Sequence, residues 1–235
     1  MAASRLPGKP LLKINNLSIV SHVFKRAKEA NIGEVVVATE DQEILTDVLK
    51  NGGRAILTNN NHKTGTDRIF EAYIKLDIKN VDYILNLQGD EPDIDKNDII
   101  NLNNFMINQD AEIGTLAAKI QDDKMLNNKN VVKVITENKL GENNFPKALN
   151  FTRDNLSIDN QNIYHHIGIY SYKISVLEKF VSLDQTNNEK KNKLEQLRAL
   201  DNKLKINVAL AKSSSIGVDT EEDYLAIKKI MEYKS

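Results

Sequence analysis

The sequence has no cysteine, no dominant charge sign and no long apolar run. The absence of cysteine excludes disulfides, thiolate metal sites and a cysteine nucleophile. Because 32 lysines and arginines nearly balance 33 aspartates and glutamates, no net field draws the chain to nucleic acid or an anionic membrane. The apolar runs are strand-sized, and Arg5, Pro7, Lys9 and Pro10 interrupt the region where a signal peptide needs an apolar core. These absences predict a soluble, cytoplasmic protein with no nucleic-acid or membrane partner.

Strand-like and helix-like segments alternate along the first 120 residues. The predicted strands cover residues 34–38, 54–58, 83–85 and 113–120. The predicted helices cover residues 18–30 and 41–50, a segment from the 62–68 loop to about 76, and residues 95–108. The apolar run at 34–38 is typical of a strand buried on both faces of a parallel sheet. This rhythm predicts an α/β fold with a doubly wound, mostly parallel, Rossmann-like sheet, formed by residues 1–235 as a single domain.

The pattern changes after residue 130. The segments VVKVIT (131–136), KALNFTR (147–153) and YHHIGIYSY (164–172) alternate like antiparallel strands, and no helix separates them. We expect an antiparallel extension over about 130–172 that also forms a symmetric homodimer. Helices at 174–181 and 189–200, a strand at 205–210 and a helix from Glu221 complete the prediction.

Two acidic turns follow predicted strands. DYILNLQGDEP (82–92) reads as a buried strand that turns at Gly89 and leaves Gln88 and Asp90 at the sheet edge. A carboxylate at that edge can hold Mg²⁺ against phosphate oxygens. Asp219, in GVDT (217–220), follows the last strand. If the two strands approach one another, both carboxylates share one metal ion; alternatively the first turn is a solvated loop, and Asp219 is the N-cap of the final helix with Glu222 at the capping-box position.

Two further loops suit an anionic ligand. In MAASRLPGKP (1–10), Arg5 and Lys9 can hold a triphosphate, or they are ordinary charges of a frayed terminus. In HKTGTDR (62–68), Thr64 or Thr66 can cap a helix whose exposed N–H groups receive a polar ligand, with a glycine for close approach and an arginine one turn later. The alternative is a capped helix without a ligand.

Eight blocks in order along the chain resemble one family: ASRLPGKPL (3–11), VVVATED (35–41), KTGTDR (63–68), NLQGDEP (86–92), NVVKV (130–134), HHIGIYSY (165–172), LEQLRAL (194–200) and GVDTEED (217–223). The family is the 3-deoxy-manno-octulosonate (KDO) cytidylyltransferases. RLPGKPL is shared with other sugar nucleotidyltransferases, but its combination with QGDEP, HIGIY and LEQLR is strongly specific. The resemblance implies magnesium-dependent transfer of CMP from CTP to KDO, giving CMP-KDO and pyrophosphate for lipopolysaccharide biosynthesis.

The resemblance also implies roles for individual residues. The catalytic group would be Arg5, Lys9 and Asp90. The nucleotide would contact Arg5, Lys9, Thr64, Gly65, Arg68 and Gln88. The sugar would contact Gln88, Arg153, His166, Tyr170, Glu195 and Gln196, and Mg²⁺ would bind Asp90 and Asp219. Alternatively, His166 and Tyr170 are half-buried packing residues, and Glu195 and Arg198 form an exposed i, i+3 pair.

The sequence departs from the family pattern in three places. Asp154-Asn155-Leu156 stands where the family has an isoleucine-proline-tryptophan type segment over the sugar, and His165 stands where a lysine or arginine is usual. The chain also begins inside the first motif, so we expect the first strand of the sheet to be missing and the sheet to show a gap or an opened edge. The alternatives are a cytidylyltransferase for another acidic sugar and an inactive nucleotide-sugar-binding homologue.

Overall fold

A computed structural model describes residues 6–120, 123–154, 162–212 and 217–233. Its helices are α1 (Ile19–Ala30), α2 (Gln42–Lys50), α3 (Gly65–Leu76), α4 (Lys96–Gln109), α5 (Asp123–Asn127), α6 (Ile174–Val181), α7 (Asn187–Asn192), α8 (Leu197–Asp201) and α9 (Glu221–Tyr233). Its strands are β1 (Lys13–Ile14), β2 (Leu17–Ser18), β3 (Val37–Thr39), β4 (Ala55–Leu57), β5 (Tyr83–Asn86), β6 (Ile113–Lys119), β7 (Lys133–Thr136), β8 (Ala148–Thr152), β9 (Ile163–Lys173) and β10 (Ile206–Leu210). Within these ranges, none of the helices has the length and apolar character to cross a bilayer.

The first three helices begin at side chains that cap them. Ser18, Asp41 and Thr64 each accept a hydrogen bond from a backbone N–H in the first turn of α1, α2 and α3. Such a bond satisfies a donor that has no partner inside the helix. Helices α1 and α3 end at Asn31 and Asp77, whose φ angles of 52° and 47° are left-handed. These predicted helices are therefore confirmed, and local side-chain chemistry sets their ends.

The described strands form a mixed set of sheets. Strands β3 and β4 pair in parallel as a two-stranded sheet, and β1 and β2 form a hairpin. The larger sheet has the order β10-β6-β9-β7-β8, and β5 also pairs with β9. Within it β6 and β10 are parallel, whereas β9 is antiparallel to β5, β6 and β7. The α/β class is confirmed, and β7, β8 and β9 form an antiparallel stretch where the sequence predicts one.

The backbone groups into two compact units. The first unit contains the described residues of 1–77, 87–99 and 215–235, and the second those of 78–86 and 100–214. A cluster in the first unit packs Ile14 and Ile19 against Val218, Ile227 and Met231, so the two ends of the chain share one apolar core. The single domain over residues 1–235 and the missing first strand stay predictions.

Three segments differ from the sequence-based predictions. Strand β3 is shorter than the predicted 34–38, and its Val37 is half-buried instead of fully buried. Residues 83–85 of β5 are likewise half-buried. The predicted helix over 189–200 is wrong, because Lys193 takes a left-handed φ of 54° and separates α7 from α8. No glycine or proline marks that break, so the helical periodicity of the sequence continues through it.

Candidate functional site

The two acidic turns lie side by side in the first unit. The N–H of Val218 donates to the carbonyl oxygen of Asp90 at 2.9 Å. Lys9 Nζ donates to Asp90 Oδ2 at 2.7 Å and to Asp219 Oδ1 at 3.2 Å. Three residues from distant parts of the sequence therefore meet at one ammonium group. The two turns meet, but the strands that precede them do not pair with each other: among the described strands, β5 pairs with β9 and β10 with β6. The shared metal site stays a prediction.

A tight turn presents Lys9 to this site. Gly8 has a left-handed φ of 68°, which glycine adopts without a Cβ penalty. The following 3-10 turn, Lys9–Leu11, contains Pro10 and is closed by a bond of 2.9 Å from the Leu11 N–H to the Gly8 carbonyl. The segment from Leu6 to Leu11 thus holds the Lys9 backbone in a defined conformation. Arg5 lies outside the described residues.

The electrostatics keep Lys9 charged. Burial by itself would lower the pKa of Lys9, but the carboxylates of Asp90 and Asp219 raise it above its ordinary value. The exposed fractions of the Lys9 and Asp219 side chains are 11% and 54%, so the aspartate keeps an open side toward solvent. Carboxylate oxygens that converge on one cation are the donor type that Mg²⁺ prefers. Across the described ranges no third acidic or histidine side chain joins them as a metal-binding group.

The final helix has its own cap. Thr220 Oγ1 accepts from the N–H of Asp223 at 3.2 Å, and Asp223 Oδ2 accepts from the N–H groups of Asp219 and Thr220. The interpretation of Asp219 as the N-cap, with Glu222 at the capping-box position, is therefore wrong by one residue. Because Thr220 and Asp223 satisfy the helix start, the Asp219 carboxylate is available to Lys9.

Residues 62–68 open α3 as predicted. Thr64 is the N-cap, and its hydroxyl accepts from the N–H of Asp67 at 3.3 Å. A Cβ built on Gly65 would meet nothing within 4 Å, so a ligand can approach this backbone closely. Arg68 donates to Thr58 Oγ1 at 2.8 Å and contacts the carboxylate of Glu40. Arg68 thus supports the loop, and its contact with a nucleotide stays a prediction.

Glu71 is a residue that the sequence analysis missed. Its two oxygens accept from the N–H of Asn59 at 3.1 and 3.0 Å, and it pairs with Lys75 at 2.6 Å and contacts His62 Nε2. Burial would raise the pKa of Glu71, but Lys75, His62 and the Asn59 N–H together lower it to about 2. Glu71 therefore fastens the loop before α3 to that helix. The only sequence signal was a glutamate one turn after Asp67.

A buried aromatic row carries two predicted sugar ligands in the second unit. The rings of His166 and Tyr170 lie 5.4 Å apart, and those of Phe151 and His166 lie 5.1 Å apart. Thr115 Oγ1 donates to the Ile169 carbonyl at 2.7 Å and shares a hydrogen bond of 3.1 Å with His166 Nε2. His166 and Tyr170 are both buried, so the alternative that described them as half-buried packing residues is wrong about their burial.

The same row contains an unsatisfied hydroxyl. Among the residues that the structure describes, the buried Tyr170 hydroxyl makes no hydrogen bond of good geometry, although the Thr115 side chain interacts with it. Burial, then Tyr172 and Glu195, raise the pKa of Tyr170 well above its ordinary value, so it stays protonated. Burial, then His165 and Arg153, lower the pKa of His166 to about 3, so it stays neutral near pH 7. A buried polar atom without a well-formed hydrogen bond is costly, which makes this hydroxyl a candidate ligand contact.

Arg153 is positioned by a turn before β7. Its Nη1 donates to the Asn130 carbonyl at 2.9 Å. The fully buried Lys133 donates from Nζ to the Asn128 carbonyl at 2.8 Å and to the Arg153 carbonyl at 3.3 Å. Burial, followed by the charge of Arg153, lowers the pKa of Lys133. Apart from its place in NVVKV, no feature of the sequence marks this lysine.

Glu195 and Gln196 lie between two short helices. Gln196 is buried and directly precedes α8. The expectation of an exposed Glu195–Arg198 pair is wrong, because Arg198 is buried. Its Nε and Nη2 donate to the two carboxylate oxygens of Glu189 at 2.9 and 2.7 Å. The LEQLR arginine thus anchors the segment that carries the two predicted sugar ligands. Gln88 is exposed on its turn, and its role stays a prediction.

Comparisons with known proteins give a consistent result. A family model described as Cytidylyltransferase matches residues 1–206. The 3-deoxy-manno-octulosonate cytidylyltransferase of Bartonella bacilliformis is 39% identical over 98% of this chain and 95% of its own length. The protein of that name from Afipia carboxidovorans is 42% identical over 98% and 93%. The solved structure of a CMP:2-keto-3-deoxy-manno-octonic acid synthetase complexed with CTP superposes with a TM-score of 0.88, at 32% identity over 99% of this chain and 95% of that one.

Proposed function

Because this chain belongs to the 3-deoxy-manno-octulosonate cytidylyltransferase family, we propose that it transfers CMP from CTP to KDO, giving CMP-KDO and pyrophosphate for lipopolysaccharide biosynthesis. The observation that carries the proposal is the meeting of Lys9, Asp90 and Asp219 in the first unit. That arrangement combines a cation suited to phosphate with two carboxylates suited to a metal.

The reaction needs positioning and charge neutralisation more than a side-chain base. The anomeric hydroxyl oxygen of KDO forms a bond to the α-phosphorus of CTP. The bond from that phosphorus to the bridging oxygen breaks, pyrophosphate leaves with the electron pair, and the hydroxyl proton passes to solvent. Lys9, together with Arg5, would offset the charge of the triphosphate. The backbone N–H groups at the start of α3 and the open backbone at Gly65 would receive the nucleotide, and Thr64 and Arg68 would hold the loop.

Mg²⁺ is the proposed cofactor. Asp90 and Asp219 would hold it, because their oxygens already converge on the Lys9 ammonium. Bound there, Mg²⁺ supplies charge neutralisation at the phosphates and lowers the pKa of the attacking hydroxyl. With two protein carboxylates, the remaining ligands would be water and phosphate oxygens.

The proposed sugar ligands are in the second unit, apart from Gln88. Arg153 would pair with the KDO carboxylate, because its planar guanidinium matches that group. His166 is held neutral and Tyr170 protonated, so both would act as uncharged hydrogen-bonding groups. The unsatisfied Tyr170 hydroxyl supports a ligand contact there. Glu195 and Gln196 would bind sugar hydroxyls.

A pyrophosphate-release assay with CTP, KDO and Mg²⁺ tests the proposal. Release that requires all three supports it. Release with another acidic sugar but not with KDO would favour a cytidylyltransferase for that substrate. No release with any acidic sugar, from protein that still binds CTP, would favour a nucleotide-sugar-binding homologue without activity.

We also propose a cytoplasmic homodimer that uses the antiparallel extension of residues 130–172. Among the described strands, β8 lies at an edge of the larger sheet, and its residue Leu149 is 60% exposed. An edge strand with exposed apolar surface is stabilised when a second copy covers it. Sedimentation at micromolar concentration tests this: a clean monomer would contradict it, and Leu149→Asp should shift a dimer toward monomer.

A further inference from the structure

Lys9 occupies the space on which both proposed metal-binding carboxylates converge. Its ammonium lies 2.7 Å from Asp90 Oδ2 and 3.2 Å from Asp219 Oδ1. The ammonium and a divalent cation would therefore compete for the same oxygens. Two carboxylates carry two negative charges, so an ammonium and a divalent cation together would leave an excess of positive charge at short range.

The conflict disappears when Lys9 gains another anionic partner. The 3-10 turn fixes its backbone, but the four-carbon side chain can reorient. A triphosphate offers oxygens both to the ammonium and to a metal ion held by Asp90 and Asp219. Metal and nucleotide should then favour each other's binding, because each relieves the charge imbalance that the other would face alone.

We propose that Lys9 determines which form of the metal this site accepts: it disfavours a bare divalent cation and favours one that arrives with nucleotide phosphates. The inference rests on the proposed function for the identity of the nucleotide. It assigns Lys9 a second role besides phosphate binding. In the absence of nucleotide, Lys9 neutralises the acidic pair and keeps it from binding the cation.

Direct measurement of Mn²⁺ binding tests this without turnover. Free Mn²⁺ is followed by electron paramagnetic resonance during titration of the full chain, with and without CTP and in the absence of KDO. Wild-type protein should bind Mn²⁺ weakly without CTP. Lys9→Met, which keeps most of the side-chain length and removes the charge, should bind it roughly tenfold more tightly. CTP should increase Mn²⁺ affinity more for wild type than for Lys9→Met.

Two controls define the site. Lys13→Met removes an exposed lysine of the same unit and should leave Mn²⁺ affinity at the wild-type value. Adding Asp90→Asn to Lys9→Met should abolish the gain, because the metal then loses one carboxylate. A folded Lys9→Met protein with wild-type Mn²⁺ affinity overturns the proposal. Micromolar affinity of the wild type without nucleotide also overturns it, whether or not the variant folds, and neither result depends on CMP transfer.

Discussion

Replacing Arg198 with methionine should destabilise this protein far more than the loss of an ordinary surface arginine. Arg198 and Glu189 have side-chain exposures of only 2% and 4%, and two hydrogen bonds of 2.9 and 2.7 Å join them. The guanidinium carbon also lies 4.7 Å from the centre of the Phe180 ring. In Arg198→Met the carboxylate of Glu189 stays buried without its counter-ion. One-sided removal of a buried pair typically costs about 3–5 kcal/mol.

That cost is large relative to the free energy of unfolding, which is about 5–15 kcal/mol for a typical protein. For a chain of this size it corresponds to a fall in Tm of roughly 6–20 °C. Urea unfolding followed by circular dichroism would give the change in free energy, and calorimetry would give Tm. Arg198→Lys should recover only part of the loss, because an ammonium cannot form the bidentate pair.

Arg26→Met is the matched control. Arg26 pairs with Glu29 at 3.2 Å on the surface, so its replacement should cost less than about 1 kcal/mol. In the double variant Arg198→Met/Glu189→Gln, the total loss should be smaller than the sum of the two single losses, because no unpaired charge is buried. Equal costs for the Arg198 and Arg26 variants, or strict additivity in the double variant, would refute this reasoning.

Four further predictions concern the proposed site. Asp90→Asn should lower turnover by at least ~10²-fold in the pyrophosphate assay while circular dichroism stays unchanged; near-normal kcat at saturating Mg²⁺ contradicts the metal assignment. Arg153→Ala should weaken KDO by roughly 1.5–3 kcal/mol and CTP much less in isothermal titration, whereas equal losses would point to the fold or the phosphates. Glu71→Gln should raise the KM for CTP with little change for KDO, because the loop before α3 loses its fastening; an unchanged KM for CTP would remove that role. His166 has a folded pKa of about 3, below its ordinary 6.5, so its stabilising contribution is complete above pH 6.5 and is lost as the pH falls toward 3, by at most ~5 kcal/mol. The unfolding free energy of His166→Gln should lack this pH-dependent loss. Identical pH profiles of wild type and variant would contradict the prediction.

Most helices and strands follow from local sequence. The starts of α1, α2 and α3 were predictable because a cap depends on a side chain and on backbone N–H groups only two or three residues away. The α/β alternation and the antiparallel stretch after residue 130 were predictable because apolar periodicity differs between helices and strands. The break at Lys193 was not, because neither a glycine nor a proline marks the left-handed residue there.

The long-range partners were decided by the tertiary structure. The sequence singled out Asp90, Asp219 and Lys9, but only the fold shows that one ammonium joins two carboxylates located 81 and 210 residues away. One alternative placed Arg198 beside Glu195 at helical spacing, whereas its bidentate partner is Glu189, nine residues earlier and across a turn. The physical reason is that a charged side chain is removed from water only where other residues pack around it. The whole fold therefore decides which opposite charge is buried beside it.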